Sequence, residues 1–300
     1  MHTSFNLDFD LLAGKVYGIA VEAAKIILGY YTQTEDQLSV EYKDDASPVT
    51  LADLAAHRYI SSALCALVPD FPVISEEGVV VEGCTLETTF QPHDHQPFWL
   101  VDPLDGTKEF IAGSGDFSVN IGLVYKGKPL LGIMVCPVFQ VGYIGGAVLG
   151  GAWKQSGLEP FSKEKSSPIF CRPFHHMGCD VLMSKSPAPI VDQFLEYFSV
   201  SGGRCVVKKI GSARKFGLIA EGAADLYPRY LPTYEWDTAA AQAIIEAAGG
   251  WVLDIADLEP LRYQKAPSWL NTYFIVSGQL AHTERLYLQS IVDQVKNHSK

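Results

Sequence analysis

The stretch Trp99-Leu100-Val101-Asp102-Pro103-Leu104-Asp105-Gly106-Thr107-Lys108-Glu109-Phe110 governs how the rest of the chain is read. Leu100 and Val101 have the character of the last residues of a buried strand, and Pro103 and Gly106 force a turn directly after it. Asp102 and Asp105 therefore sit at a strand's carboxyl end. Proline fixes one backbone angle between them, so both carboxylates and the Leu104 carbonyl can converge on one point. Three hard oxygens in one turn suit Mg²⁺. Gly106 lets the backbone approach a ligand closely, and Thr107 offers a hydroxyl to a water or a phosphate oxygen. Taken alone, Asp-Pro-x-Asp-Gly is just as much a surface turn, and the choice falls to the rest of the chain.

With 300 residues and 48% hydrophobic composition, the chain has room for a sizeable core and two packed lobes. Asp and Glu number 34 against 23 Lys and Arg, a net charge of −11 that argues against sequence-independent binding to nucleic acid or to an anionic membrane surface. An anionic substrate then needs local divalent cations and a few placed Lys or Arg residues. The N-terminus lacks a signal-peptide pattern, and Leu130 to Trp153, although uncharged, is broken by Pro137, Gln140 and several glycines. A cytoplasmic protein with no integral membrane segment is expected. Six scattered cysteines (65, 84, 136, 171, 179 and 205) form no Cys-x-x-Cys pair, which suggests reduced thiols. Cys171, His175, His176 and Cys179 offer zinc-type ligands in one short segment, but at no usual zinc spacing and beside Pro173. His93 and His95 fall in a Pro- and Gln-rich stretch that reads as a loop.

Residues 8–31 carry apolar positions at helical spacing, and a second helix is expected from about Thr50 to Val68. Thr50 and Asp53 fit a capping pair at its start, which is reason enough for Asp53 without any catalytic role. Phe71 to Ser75 reads as a strand ending in Glu76 and Glu77; alternation turns one Glu toward Asp102 and Asp105 while the other faces away or supports it, unless both lie in a solvated turn. Val119 to Tyr125 and Leu130 to Cys136 make a hairpin about Lys126 to Lys128. Beyond residue 180 strands and helices alternate: Val181 to Ser184, a helix after Pro189, Cys205 to Ile210, a helix over about 212–221, and Ala224 to Tyr227. Trp236-Asp237-Thr238 then opens an alanine-rich helix, where Asp237 is either a cap or a rigidly held ligand, and the last helix begins near Ala281. An α+β half at 1–160 and an α/β half at 161–300 are expected, the second carrying Asp237.

Five separated features coincide: Thr50-x-x-Asp53, Ser75-Glu76-Glu77, Asp102-Pro-Leu-Asp105-Gly-Thr107, Gly211-Ser212-x-x-Lys215, and Trp236-Asp237 before the alanine-rich helix. Together they resemble the inositol monophosphatase family of Mg²⁺-dependent, Li⁺-sensitive phosphatases, from about residue 10 to 280. Lys108-Glu109-Phe110 after Gly-Thr, with Tyr227-Pro228-Arg229, resembles its CysQ-type 3'(2'),5'-bisphosphate nucleotidase branch. The resemblance implies an α/β fold, a layered αβαβα sandwich of the inositol monophosphatase and fructose-bisphosphatase type, with two or three Mg²⁺ ions between the halves. It implies that Glu76, Asp102 and the Leu104 carbonyl hold one metal, and that Asp102, Asp105 and Asp237 hold a second. By the same resemblance Asp53 and Thr107 orient the attacking water, Glu77 supports, and Gly106, Gly211, Ser212, Lys215 and Arg229, with Glu76, Thr107 and Asp237, contact substrate.

The activity so implied is removal of the 3'-phosphate of 3'-phosphoadenosine 5'-phosphate, and of its sulfated form, to give AMP by in-line attack of water between two metals, in sulfur metabolism and nucleotide recycling. A Lys and an Arg in an acidic chain can pair with the 5'-phosphate that a sugar monophosphate lacks. One departure stands out: Ala213 and Arg214 occupy positions where the branch commonly has a second Ser and an apolar residue. Two other readings stay open, a phosphatase of inositol or other sugar monophosphates, and a non-catalytic metal- or nucleotide-binding regulatory protein. Some bacterial relatives of this branch associate with the inner face of the cell membrane, which implies at most a peripheral contact here.

Overall fold

A computed structural model describes residues 7–31, 40–42, 48–78 and 96–298. Cys84, His93 and His95 lie outside them. The first helix, α1 (Phe9–Tyr31), buries Leu12, Val16, Ala20, Ala23 and Ile27 along one stripe, as their spacing requires. The two-residue strands β1 (Glu41–Tyr42) and β2 (Pro48–Val49) pair before α2 (Leu51–Leu67), whose N-cap is Thr50. A mixed sheet follows, ordered as numbered: β3 (Val73–Ser75), β4 (Phe98–Asp105), β5 (Ser118–Tyr125), β6 (Lys128–Cys136), β7 (Val141–Gly146), β8 (Gly151–Ser156) and β9 (Ser167–Pro168). A short helix, α3 (Thr107–Ile111), lies between β4 and β5.

The second sheet has the order β11-β10-β12-β14-β13 and is built from β10 (Cys179–Met183), β11 (Cys205–Lys209), β12 (Leu226–Arg229), β13 (Trp251–Asp254) and β14 (Phe274–Ser277). Around it run α4 (Ile190–Val200), α5 (Arg214–Ala220), α6 (Glu235–Ala247) and α7 (His282–His298).

Alternation along the strands divides the core between layers. On β6, Leu131, Ile133 and Val135 join the core under α1 and α2, while Met134 and Cys136 join the one shared with α5 and α6. On β14, Phe274 and Val276 face that middle core and Ile275 faces the core under α4 and α7. The result is helix, sheet, helix, sheet, helix, the expected αβαβα sandwich.

Two glycines set the depth of α6 against the first sheet. A Cβ on Gly122 would lie 2.8 Å from the Ala240 nitrogen, and one on Gly132 only 1.9 Å from the Ala240 carbonyl oxygen. Gly122 and Gly132 are register partners on β5 and β6, so α6 rests at Ala239 and Ala240 on bare backbone. That close seat brings Asp237 to the end of β4.

Three local expectations are corrected. The strand before the acidic turn does not stop at Val101: β4 runs on to Asp105, with its register to β5 irregular between Asp102 and Asp105. That irregularity accommodates Pro103, which has no N–H to give a ladder, and the turn comes at Gly106, whose φ is 94°. The strand expected at Ala224 to Tyr227 is displaced to Leu226–Arg229. Reduced thiols hold for Cys136, Cys171, Cys179 and Cys205, but Cys65 is disulfide-bonded. Leu130 to Trp153 contributes to β6, β7 and β8, and among the described residues no helix is long and apolar enough to cross a membrane.

Candidate active site

The acidic centre is assembled from three directions. Glu76 follows the last residue of β3, Asp102 lies on β4, and Asp237 stands in the first turn of α6. One oxygen from each carboxylate falls within 4.8 Å of the others. Asp102 is 1% exposed and accepts a hydrogen bond from Leu104 N at 3.0 Å. Asp237 accepts from Tyr234 N at 2.8 Å, so it caps its helix and faces the centre at once. Burial, then the charge of Glu76, pushes the Asp102 carboxyl well above the usual range. Burial likewise raises Asp237, with Glu76 and Asp105 adding repulsion. Such a set of oxygens is costly to leave charged, and a divalent cation relieves both the desolvation and the repulsion. The donor chemistry therefore fits Mg²⁺.

Asp105 stands apart from this trio. Its Oδ2 accepts from Ala213 N at the start of α5 and from Ser118 Oγ at 3.5 Å. Burial raises its carboxyl to about 6, opposed by the Ala213 bond and by Lys215. Its negative charge still acts on Asp102 and Asp237. The Leu104 carbonyl accepts from Thr107 Oγ1 at 3.2 Å.

Asp53 does more than cap α2. Its Oδ2 accepts from Thr50 N at 2.8 Å and Thr50 Oγ1 at 2.5 Å, as a cap does. Its Oδ1 accepts from Thr107 Oγ1 at 3.0 Å, across 54 residues of sequence, which capping does not require. Asp53 is 1% exposed, and burial outweighs its hydrogen bonds to raise the carboxyl.

Beyond Asp105 opens a cavity of about 300 Å³ lined by Gly106, Lys108, Gly211, Ser212, Lys215, Arg229 and Asp237, together with Ser184 and Lys185. The Gly211–Ser212 turn packs against the acidic loop: a Cβ on Gly106 would meet Asp116 O at 2.8 Å and Ser212 Cβ at 3.1 Å, and one on Gly211 would meet Glu109 Cγ at 2.6 Å. Lys215 is buried, and its Nζ donates to Ile210 O at 3.1 Å and Ser212 O at 2.6 Å while lying 4.8 Å from the Tyr227 ring centroid. It thus holds the turn and faces Asp105. Arg229 donates through Nη1 to Ser184 Oγ at 2.7 Å, and its buried Nε has no partner among the described residues.

Ser184 and Lys185 were not singled out from sequence. The signal available was a polar run at the carboxyl end of a buried strand, where open α/β sheets bind ligands. Parallel pairing of Val181 with Leu226 sets Ser184 beside Arg229, three residues further along each chain. The departure at Arg214 also has a structural reason: it pairs with Asp116 at 3.1 Å and covers the Phe139 ring. Lys185 pairs with the same Asp116 at 2.8 Å, so that residue ties the acidic loop to the second sheet.

The cysteine and histidine segment disperses. Cys171 donates to Ile245 O, Cys179 to Arg204 O, and His176 pairs with Glu284 at 2.8 Å and stacks on Tyr287. His175 lines a separate surface hollow beside Arg172.

Known proteins are similar to the chain over most of its length. The pattern defining the inositol monophosphatase family matches residues 10–296. The 3'(2'),5'-bisphosphate nucleotidase CysQ of Escherichia coli K12 is 41% identical over 267 residues, 88% of this chain and 98% of that protein. The protein of the same name from Haemophilus influenzae is 34% identical over 281 residues, 93% and 97% of the two chains. Among solved structures, CysQ from Bacteroides thetaiotaomicron superposes with a TM-score of 0.75 at 35% identity, covering 92% of this chain and all of that one. An inositol monophosphatase from Zymomonas mobilis shares the fold, with a TM-score of 0.72 at 23% identity. The chain belongs to the inositol monophosphatase family.

Proposed function

We propose that this phosphatase removes the 3'-phosphate of 3'-phosphoadenosine 5'-phosphate to give AMP, with Mg²⁺ held by Glu76, Asp102 and Asp237 and completed by Asp105 and the Leu104 carbonyl. The carrying observation is the converging trio of carboxylates, Asp102 buried and Glu76 and Asp237 half-buried, beside a cavity that holds both an acidic and a cationic wall. The halves 1–160 and 161–300 are proposed to supply these walls separately, the acids mainly from the first and the cations mainly from the second.

Bound Mg²⁺ supplies charge neutralisation for the phosphate dianion and makes water ionise nearer neutral pH. The chain's own residues do the rest. Thr107 directs its one hydroxyl proton to two acceptors, Asp53 Oδ1 at 3.0 Å and the Leu104 carbonyl at 3.2 Å, which leaves its oxygen lone pairs to accept a hydrogen bond from the attacking water and aim it at phosphorus. Asp53 is held by three donors, so this acceptor does not wander. Gly106 permits backbone approach to the scissile phosphate, and the Gly211–Ser212 turn, fixed by Lys215, lies against the leaving ribose.

The second phosphate is assigned to Arg229, whose buried Nε lacks a partner among the described residues and whose Nη1 is steadied by Ser184. A sugar monophosphate offers nothing to that group, so the bisphosphate is favoured over inositol phosphate. Likeness to proteins named bisphosphate nucleotidase supports the same choice. The test is phosphate release from 3'-phosphoadenosine 5'-phosphate over a Mg²⁺ titration for wild type and Asp102→Asn. Release that saturates with Mg²⁺ and collapses in the folded variant is expected; Mg²⁺-dependent turnover surviving in Asp102→Asn contradicts the assignment.

A further inference from the structure

Glu76 must be held closely if it is to hold a metal. It follows β3, a strand of three residues at the edge of the first sheet that pairs with β4, and Gly78 N donates back to Ser75 O at 3.1 Å. On the β4 side Glu76 N donates to Val101 O at 3.1 Å. A ligand held within about half an ångström depends on the fixing of its chain neighbours as well as on its own bonds.

Such a fixing of Ser75 comes from α2. His57 Nδ1 lies 2.9 Å from Ser75 Oγ, and both side chains are buried, at 8% and 3% exposure. Ser61 Oγ approaches the same nitrogen at 3.5 Å from one turn further along the helix. His57 follows Asp53 by four residues, so the two share one helix face. Ser75 precedes Glu76 directly. The bond thus joins the helix that presents Asp53 to the strand that presents Glu76.

We propose that His57 is a positioning residue: through the Ser75 hydroxyl it fixes Glu76 relative to the Asp53–Thr107 pair, setting both Mg²⁺ affinity and the aim of the attacking water. The proposal rests on the Mg²⁺-phosphatase reading above. His57 touches neither substrate nor metal in this role; it acts through Ser75.

The experiment is calorimetric Mg²⁺ titration of the metal-free full chain for wild type, His57→Ala, His57→Asn, Ser75→Ala and the double alanine variant, with melting in Mg²⁺-free buffer. His57→Ala and Ser75→Ala are each expected to bind Mg²⁺ about tenfold or more weakly, as losses of outer-shell partners do. The double variant should be no worse than either single one, because both remove the same bond. Asparagine, with a polar atom at the same branch point as Nδ1, should restore most of the affinity. The Mg²⁺ concentration for half-maximal phosphate release should shift by the same factor while KM for the nucleotide holds. Unchanged Mg²⁺ affinity in variants that merely melt earlier overturns the proposal, as does strict additivity in the double variant. Should His57→Ala fail to fold, Ser75→Ala carries the test alone. Absence of Mg²⁺ binding by wild type overturns the underlying phosphatase reading, and is seen before any variant is compared.

Discussion

Replacing Arg229 by Met should separate the two phosphates of the substrate. Arg229 has a buried Nε with no partner among the described residues, and Ser184 holds its Nη1 at 2.7 Å, so the Nε–Nη2 edge of the fork is assigned to one phosphate. Hydrogen bonds to charged groups are worth about 1.5–3 kcal/mol each and are not additive, so the pair is assigned about 2–4 kcal/mol. That is on the order of 30- to 1,000-fold in kcat/KM. Arg229 also acts on Asp237, whose carboxyl it pulls down, so some loss will be common to every substrate. The informative quantity is therefore the ratio of kcat/KM for 3'-phosphoadenosine 5'-phosphate to that for adenosine 3'-phosphate, which lacks only the 5'-phosphate. The ratio should fall by the full factor in Arg229→Met, and by an intermediate factor in Arg229→Lys, which keeps charge but not the planar fork. Equal losses on both substrates would refute the assignment of Arg229 to the second phosphate.

Other consequences follow from the same geometry. Thr107→Val should cut turnover by about tenfold or more and cost about 1–3 kcal/mol of stability, since it removes one of the three donors to buried Asp53 but not the cap of α2; if Asp53 only caps its helix, the folded variant will be fully active. Gly132→Ala should destabilise the protein by about 1–3 kcal/mol and lower turnover, because its Cβ meets the Ala240 carbonyl and displaces the helix that carries Asp237. Gly14→Ala, with nothing within 4 Å of the added carbon, should melt no lower than wild type. The metal-free protein should lose stability as pH rises from about 4 to about 6. Asp105 is raised to about 6, so the folded state holds its proton where the unfolded chain has released it, a difference of about 3 kcal/mol. Asp102 and Asp237 carry the same sign to higher pH, whereas Asp116, held low by Lys185, acts with the opposite sign only at the acid end. Melting in chelator across this range, with Mg²⁺ restoring the loss, checks the sign; a melting temperature that climbs with pH in chelator opposes it.

What could be read from sequence was what local chemistry determines. The stripe of α1, the Thr50 cap and the β5–β6 hairpin are written in residues a few positions apart, and Lys126 and Gly127 take the left-handed angles that a two-residue turn demands. The run of β4 through Pro103 was hidden, because a proline argues for a turn unless the neighbouring strand yields its register. Asp53 showed its capping role, while its bond to Thr107 crosses 54 residues and depends on packing of α2 against β4. Lys215 reads as a substrate cation, yet burial turns its ammonium to the backbone carbonyls of Ile210 and Ser212. Ser184 and Lys185 lay silent since a short polar run after a strand is common, and only the parallel register of β10 and β12 sets it beside Arg229. The order of layers came through likeness to a family and not through periodicity, which fixes faces but not partners.

The central claim is a Mg²⁺-dependent phosphatase that prefers a bisphosphate nucleotide. Phosphate release from 3'-phosphoadenosine 5'-phosphate and from inositol 1-phosphate, run in parallel with Mg²⁺, with chelator and with added Li⁺, tests it directly. Release that needs Mg²⁺, falls with Li⁺ and strongly favours the nucleotide is the predicted result. Equal or better release from inositol 1-phosphate would contradict the role given to Arg229, and release unaffected by chelator would contradict the metal assignment of Glu76, Asp102 and Asp237.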